Sequence, residues 1–239
     1  MQRTLQSAQV IGTLERLHAR ISERFPDAGL RGVAGDLVKV AHESAANARR
    51  IGRPYYLIRL LVVAVLAASV LAQVWAAGLI RWDELPIRAD AVTLTQGLES
   101  AVNLLILMIA ALWFLVTLEE RVKRRQVLED MHVLRSFAHV VDMHQLTKDP
   151  TLILSKGNRT SHSPVREMTR FQLTRYLDYC AEMLSLIGKL AALYGEHTRD
   201  REALVAIGDV ENLATDMGRK IWQKITILSQ LEDEAAAKT

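Results

Sequence analysis

Apolar positions along this chain follow two patterns, and the change from one to the other divides the sequence. Leu60–Ile80 and Ala101–Leu118 are apolar runs without a single charged residue. At helical rise they extend about 31 and 27 Å, close to the hydrocarbon thickness of a bilayer. Elsewhere apolar residues return every three or four positions with polar residues between them, which is the pattern of amphipathic helices. No stretch alternates with the period of a strand. The predicted fold is all-α: a two-span transmembrane helical hairpin with a cytoplasmic helical (coiled-coil-like) bundle. The divisions fall at 1–54 (amphipathic helices), 55–119 (the hairpin, with a short external loop at 81–100) and 120–239 (the bundle).

The periodicity resolves the individual elements. Leu5, Val10, Ile11, Leu14, Leu17 and Ile21 place a helix over 2–24, and Phe25-Pro26-Asp27-Ala28-Gly29 ends it. Gly29, Gly32 and Gly35 then predict a hinge before a second short helix over 36–50. They do not predict a phosphate-binding loop, because no strand precedes them and no Gly-Lys-Ser/Thr follows. Gly52-Arg53-Pro54 breaks the chain again ahead of the first apolar run. Tyr55, Tyr56, Trp75 and Trp82 suit interfacial belts. Beyond the second run the helix is expected to continue, with Val127, Met131, Leu134, Ala138 and Val141 forming a coiled-coil-like seam that seeks partners. Residues 151–163 read as a loop. Thr169 with Gln172 fits a capping box. It opens a helix whose seam is Leu173, Leu177, Cys180, Leu184, Ile187, Ala191 and Tyr194. A last helix over 201–231 carries Leu204, Ile207, Val210, Leu213, Met217, Ile221, Ile225 and Leu228, and its Glu-Asp-Glu-Ala-Ala-Ala-Lys-Thr tail is expected to fray.

Charge decides the predicted orientation. The chain has 239 residues, 50% hydrophobic and 24% charged, with a net charge of +3. Arg49, Arg50, Arg53 and Arg59 precede the first run, and Arg121, Lys123, Arg124 and Arg125 follow the second; Arg81 and Arg88 are the basic residues between them. Basic residues collect at cytoplasmic ends, so both termini are predicted in the cytoplasm of a bacterium and the acidic 81–86 turn outside its inner membrane. The residues ahead of the first run carry no small-residue cleavage pattern, so that run is expected to act as an uncleaved anchor. Few aromatics, 5% of residues, argue against a stacking platform for nucleic acid. The lone Cys180 cannot form an intrachain disulfide and falls on a packing seam.

Candidate chemistry is sparse. There is no His-Glu-x-x-His, Walker lysine, nucleophile elbow or dinucleotide fingerprint, so neither an enzyme nor a cofactor is expected. His132, His139, Asp142 and His144 make a polar cytoplasmic cluster. Only His139 and Asp142, at i and i+3, can share one ion within a helix, so no metal is assigned. The cluster is expected to pair with Arg170, Arg175, Asp178 or Glu182. A proton-linked role for His139 with Asp142 is the alternative. In the first run Ala64, Ala68, Ala72 and Ala76 make a small-residue stripe for helix packing, with Gln73 one position away. In the second, Glu99, Asn103, Ile106, Ala110, Trp113 and Thr117 follow one stripe and are candidate pore-lining residues. The leading expectation is a homo-oligomeric small cation channel in the lipid bilayer. The alternative is a non-conducting scaffold or accessory subunit that recruits a cytoplasmic protein partner through its bundle.

Overall fold

A computed structural model describes residues 5–79, 91–146, 148 and 168–236, and every element among them is an α-helix. These are α1 (Ser7–Arg24), α2 (Gly29–Ile51), α3 (Tyr56–Leu79), α4 (Ala91–Leu146), α5 (Arg170–Gly195) and α6 (Arg201–Ala236). Two compact units result: Met1–Gly52 with Gln126–Thr239, and Arg53–Arg125. The predicted turn at 81–86 and loop at 151–163 lie outside the described residues.

The first unit is a helical bundle centred on α5. Its capping box is present: Gln172 N–H donates to Thr169 Oγ1 at 3.2 Å, and Thr169 N–H donates to Gln172 Oε1 at 2.8 Å. All seven residues of the predicted α5 seam are buried, but so are Tyr176, Tyr179, Met183, Leu186, Leu190 and Leu193 on its other sides. A helix apolar nearly all round is one surrounded by others. Phe25, at the end of α1, meets Tyr176 edge to face with ring centres 5.4 Å apart. Arg20 of α1 pairs with Glu182 of α5. Around this axis α1 buries Val10, Leu14, Leu17 and Ile21. The Val127–Val141 seam of α4 is wholly buried as well. That corrects its reading as an exposed surface in search of a partner: the chain covers it with its own helices. Lys224 of α6 donates to the carbonyl of Gln145 and to its side chain, satisfying acceptors at the C-terminal end of α4.

Four further expectations are corrected. The glycine-rich stretch is no hinge, because α2 begins at Gly29 and runs through Gly32 and Gly35. Two of these glycines let a histidine ring lie against the helix. A Cβ on Gly29 would stand 2.8 Å from His144 Cε1, and one on Gly35 would stand 3.1 Å from His18 Cε1. Tertiary contact outweighs the low helix propensity of glycine there. In α6, Leu204 is 43% exposed and Ala203 takes the buried position at 0%. Asp200 Oδ1 accepts from Ala203 N–H at 3.0 Å in the first turn, while Ile207, Val210, Met217, Ile221 and Leu228 of the predicted seam are buried as expected. The helix also persists through the first five residues of the predicted fraying tail, to Ala236. Finally, residues 91–100, assigned to the external loop, form the first turns of α4.

The second unit holds α3 and the N-terminal part of α4. Two stretches, one ending at Ala72 and one starting at Ala101, contain an 18-residue window long and apolar enough to cross a membrane, unburied within the chain. α4 is a single uninterrupted helix of 56 residues, about 84 Å at standard rise.

Candidate functional site

The stripe singled out on α4 stays in line along the helix. Glu99, Asn103, Ile106, Ala110 and Trp113 are all exposed in the single chain, Trp113 by 73%. Thr117 is half-buried, and its hydroxyl donates within its own helix, to the carbonyls of Trp113 and Phe114 at 3.0 Å each. Its polarity is therefore met locally and does not reach across to α3. Ala64, Ala68 and Ala72 are exposed too. The half-buried positions in this unit include Ile58, Val62 and Ser69 on α3, and Met108, Leu112, Leu115 and Leu118 on α4. The alanine stripe is thus not on the shielded side of α3. The side chains of Gln73 and Ala76 lie outside the described residues, as does Trp82.

Glu119 ties the two helices of this unit together, a role the periodicity did not assign to it. Its side chain is only 14% exposed. One oxygen accepts from Lys123 Nζ at 2.7 Å and from the Tyr55 backbone N–H at 3.3 Å; the other accepts from Arg59 Nε at 3.4 Å. Lys123 also lies 5.4 Å above the Tyr55 ring. The Glu119–Lys123 spacing of four was legible in the sequence as a helix pair. That a backbone donor from the start of α3 would join it was not.

In the bundle unit the polar cluster separates. His132 and His139 are exposed, whereas Asp142 is half-buried and accepts from Gln145 Nε2 at 2.6 Å. His144 packs its ring on Gly29; burial, with the charge of Lys148 second, holds this imidazole below its usual range. The expected pairing with α5 is corrected: Glu182 goes to Arg20, Arg175 to Asp178 on its own helix, and Arg135 to Asp209 of α6 at 3.5 Å. Among the described residues no three His, Cys, Asp or Glu side chains gather as metal ligands would. His162 and Glu167 lie outside the described residues.

Sequence reasoning also missed a polar network inside the bundle. Asp130 of α4 accepts from Tyr194 Oη of α5 at 2.9 Å and from Asn47 Nδ2 of α2 at 3.2 Å, with Ser44 buried on α2 nearby. Burial pushes the Asp130 carboxyl up from its ordinary value, and the nearby acids Glu129 and Glu43 add to this; the bonds from Tyr194 and Asn47 pull the other way. Burial likewise raises the Tyr194 phenol. Cys180 is fully buried, and burial pushes its thiol up to about 12, which leaves it protonated and unreactive.

Comparison with protein-family models, with curated proteins and with solved structures finds no match. Functional argument therefore rests on the chain's own geometry.

Proposed function

We propose that this chain is an integral membrane protein whose α3 and α4 cross the bilayer as a hairpin, with both termini in the cytoplasm. On this reading the helical bundle is a scaffold that recruits a cytoplasmic partner. The supporting observation is the continuity of α4. One unbroken helix carries an unburied apolar window and, further along, a seam fully enclosed by the bundle. In water an apolar helix left uncovered is a heavy free-energy cost, whereas in lipid it is the solvated state. Because the bundle closes its core within one chain, the seam gives no reason for oligomerisation. An adaptor needs no more than this.

The test is partition and topology. The full-length protein should remain in the membrane pellet after alkaline carbonate extraction, and tags at its two ends should both be shielded in intact cells. Release into the supernatant, or tags that report opposite compartments, overturns the reading.

A second reading, a homo-oligomeric cation channel lined by α4, is favoured by the exposure of Glu99 and Asn103 on one stripe. Polar groups on an apolar helix face protein or water. Asn103→Leu should then change conductance in liposomes, while under the scaffold reading liposomes show no flux before or after the substitution.

A further inference from the structure

Where α3 and α4 lie side by side near Glu119, they enclose a crevice of about 520 Å³. Val62, Val63 and Leu115, a helical turn from Arg59 and Glu119, make its apolar part; Arg59 and Lys123 against Glu119 and Glu120 make its ionic part, and Ile58 stands beside Arg59. We propose that this crevice holds an anionic phospholipid, its phosphate on Arg59 and Lys123 and its first acyl segment against Val62, Val63 and Leu115. The inference rests on the reading of α3 and α4 as membrane spans, and it adds a ligand and a site to that reading.

Three observations carry it. The crevice has the polarity of a lipid, ionic in one part and apolar in the other. Arg59 engages Glu119 through Nε, at 3.4 Å, and is 63% exposed, so its two terminal nitrogens remain open to a phosphate in the fork that suits one. Charge within the lining is balanced, Arg59 and Lys123 against Glu119 and Glu120, but the flanking segments are one-sided. Residues 53–59 and 119–125 hold Arg53, Arg59, Arg121, Lys123, Arg124 and Arg125 against Glu119 and Glu120. That excess prefers an anionic headgroup to a zwitterionic one. Glu119 opposes the phosphate: its two oxygens already hold Lys123 and Arg59. The lipid must share those cations, and removing the negative charge should tighten binding.

The test uses full-length protein purified from membranes into detergent and titrated with equal parts phosphatidylglycerol and phosphatidylcholine. Native mass spectrometry reads the bound lipid. Carbonate extraction of the same preparation is scored first, so that failure of the membrane reading is seen separately from failure of the site. Phosphatidylglycerol should be retained in preference to phosphatidylcholine. Arg59→Gln should lower that preference about fivefold, the worth of one basic side chain at an anionic surface. Glu119→Gln should raise it. Val62→Phe, which fills the apolar part without touching charge, should lower retention of the lipid. If Arg59→Gln proves unstable, the other two variants decide, because they move binding in opposite directions. Equal retention of both lipids, or no response to Glu119→Gln and Val62→Phe, overturns the proposal. So does displacement of the lipid by inorganic phosphate alone, since the apolar part would then contribute nothing.

Discussion

Three glycines on α2 share one sequence context but stand in three different surroundings, so replacing each by alanine should give three different results. At Gly32 nothing beyond the local helix backbone lies within 4 Å of a Cβ. Alanine there removes backbone entropy from the unfolded chain and favours the helix by up to about 1 kcal/mol. For a chain of this size that is roughly 2–4 °C in Tm. At Gly35 the new Cβ would stand 3.1 Å from His18 Cε1, so the ring must yield by a few tenths of an ångström. Gain and strain should nearly cancel, leaving Gly35→Ala within about 0.5 kcal/mol of the parent. At Gly29 the Cβ would meet the outer edge of the His144 ring, with Cε1 at 2.8 Å, Nε2 at 3.6 Å and Nδ1 at 3.7 Å. Overpacking of this kind costs about 1–3 kcal/mol, and the propensity gain at the first residue of a helix is small. Gly29→Ala should therefore destabilise by about 1–2 kcal/mol. Thermal unfolding of the full chain in detergent, followed by far-UV circular dichroism, measures the series. The clash is identified by combining Gly29→Ala with His144→Ala, which should abolish the alanine penalty and give a coupling energy of about 1–2 kcal/mol. The reasoning is refuted if Gly29→Ala stabilises as much as Gly32→Ala, for then no ring lies against the start of α2.

Other expectations follow from the same geometry. Asp130 holds its proton to higher pH in the folded protein than in the unfolded chain, so its contribution to stability is greatest below the ordinary aspartate range and falls as pH rises through that range to the raised value. Asp130→Asn should remove this decline, so that its stability relative to the parent improves as pH rises from acid to neutral; parallel denaturation-versus-pH curves would contradict the assignment. Thr169→Ala removes an observed cap and should cost about 1 kcal/mol, read as a lowered unfolding midpoint. Leu134→Ala empties a fully buried site on α4 and should cost about 2–5 kcal/mol in the same assay. Cys180 should resist maleimide labelling at pH 8 while the bundle is folded and react at once in denaturant; rapid native labelling would show that the thiol is reachable.

The class of the fold was legible in the chain itself. Two charge-free runs and several stretches of 3.6-residue periodicity leave no alternative to helices, because only burial of the apolar side decides where such residues can sit. The Val127–Val141 seam, the capping box at Thr169, the break at Gly52-Arg53-Pro54 and the uninterrupted passage of α4 into the bundle were all written locally. What tertiary structure alone decided was which partner each surface meets. Periodicity marks a face as apolar without saying whether the same chain or another will cover it, and the α4 seam proved to be covered from within. It found one stripe on α5, although that helix is buried nearly all round. Local propensity read Gly29, Gly32 and Gly35 as a hinge, when two of them are the space that His144 and His18 occupy. The pattern gave Asp130 and Glu119 no role, since nothing nearby in sequence announces Tyr194, 64 residues away, or the Tyr55 backbone N–H, 64 residues before. Spacing along a helix fixes direction around its axis; only packing brings distant donors to a carboxylate and takes water away from it.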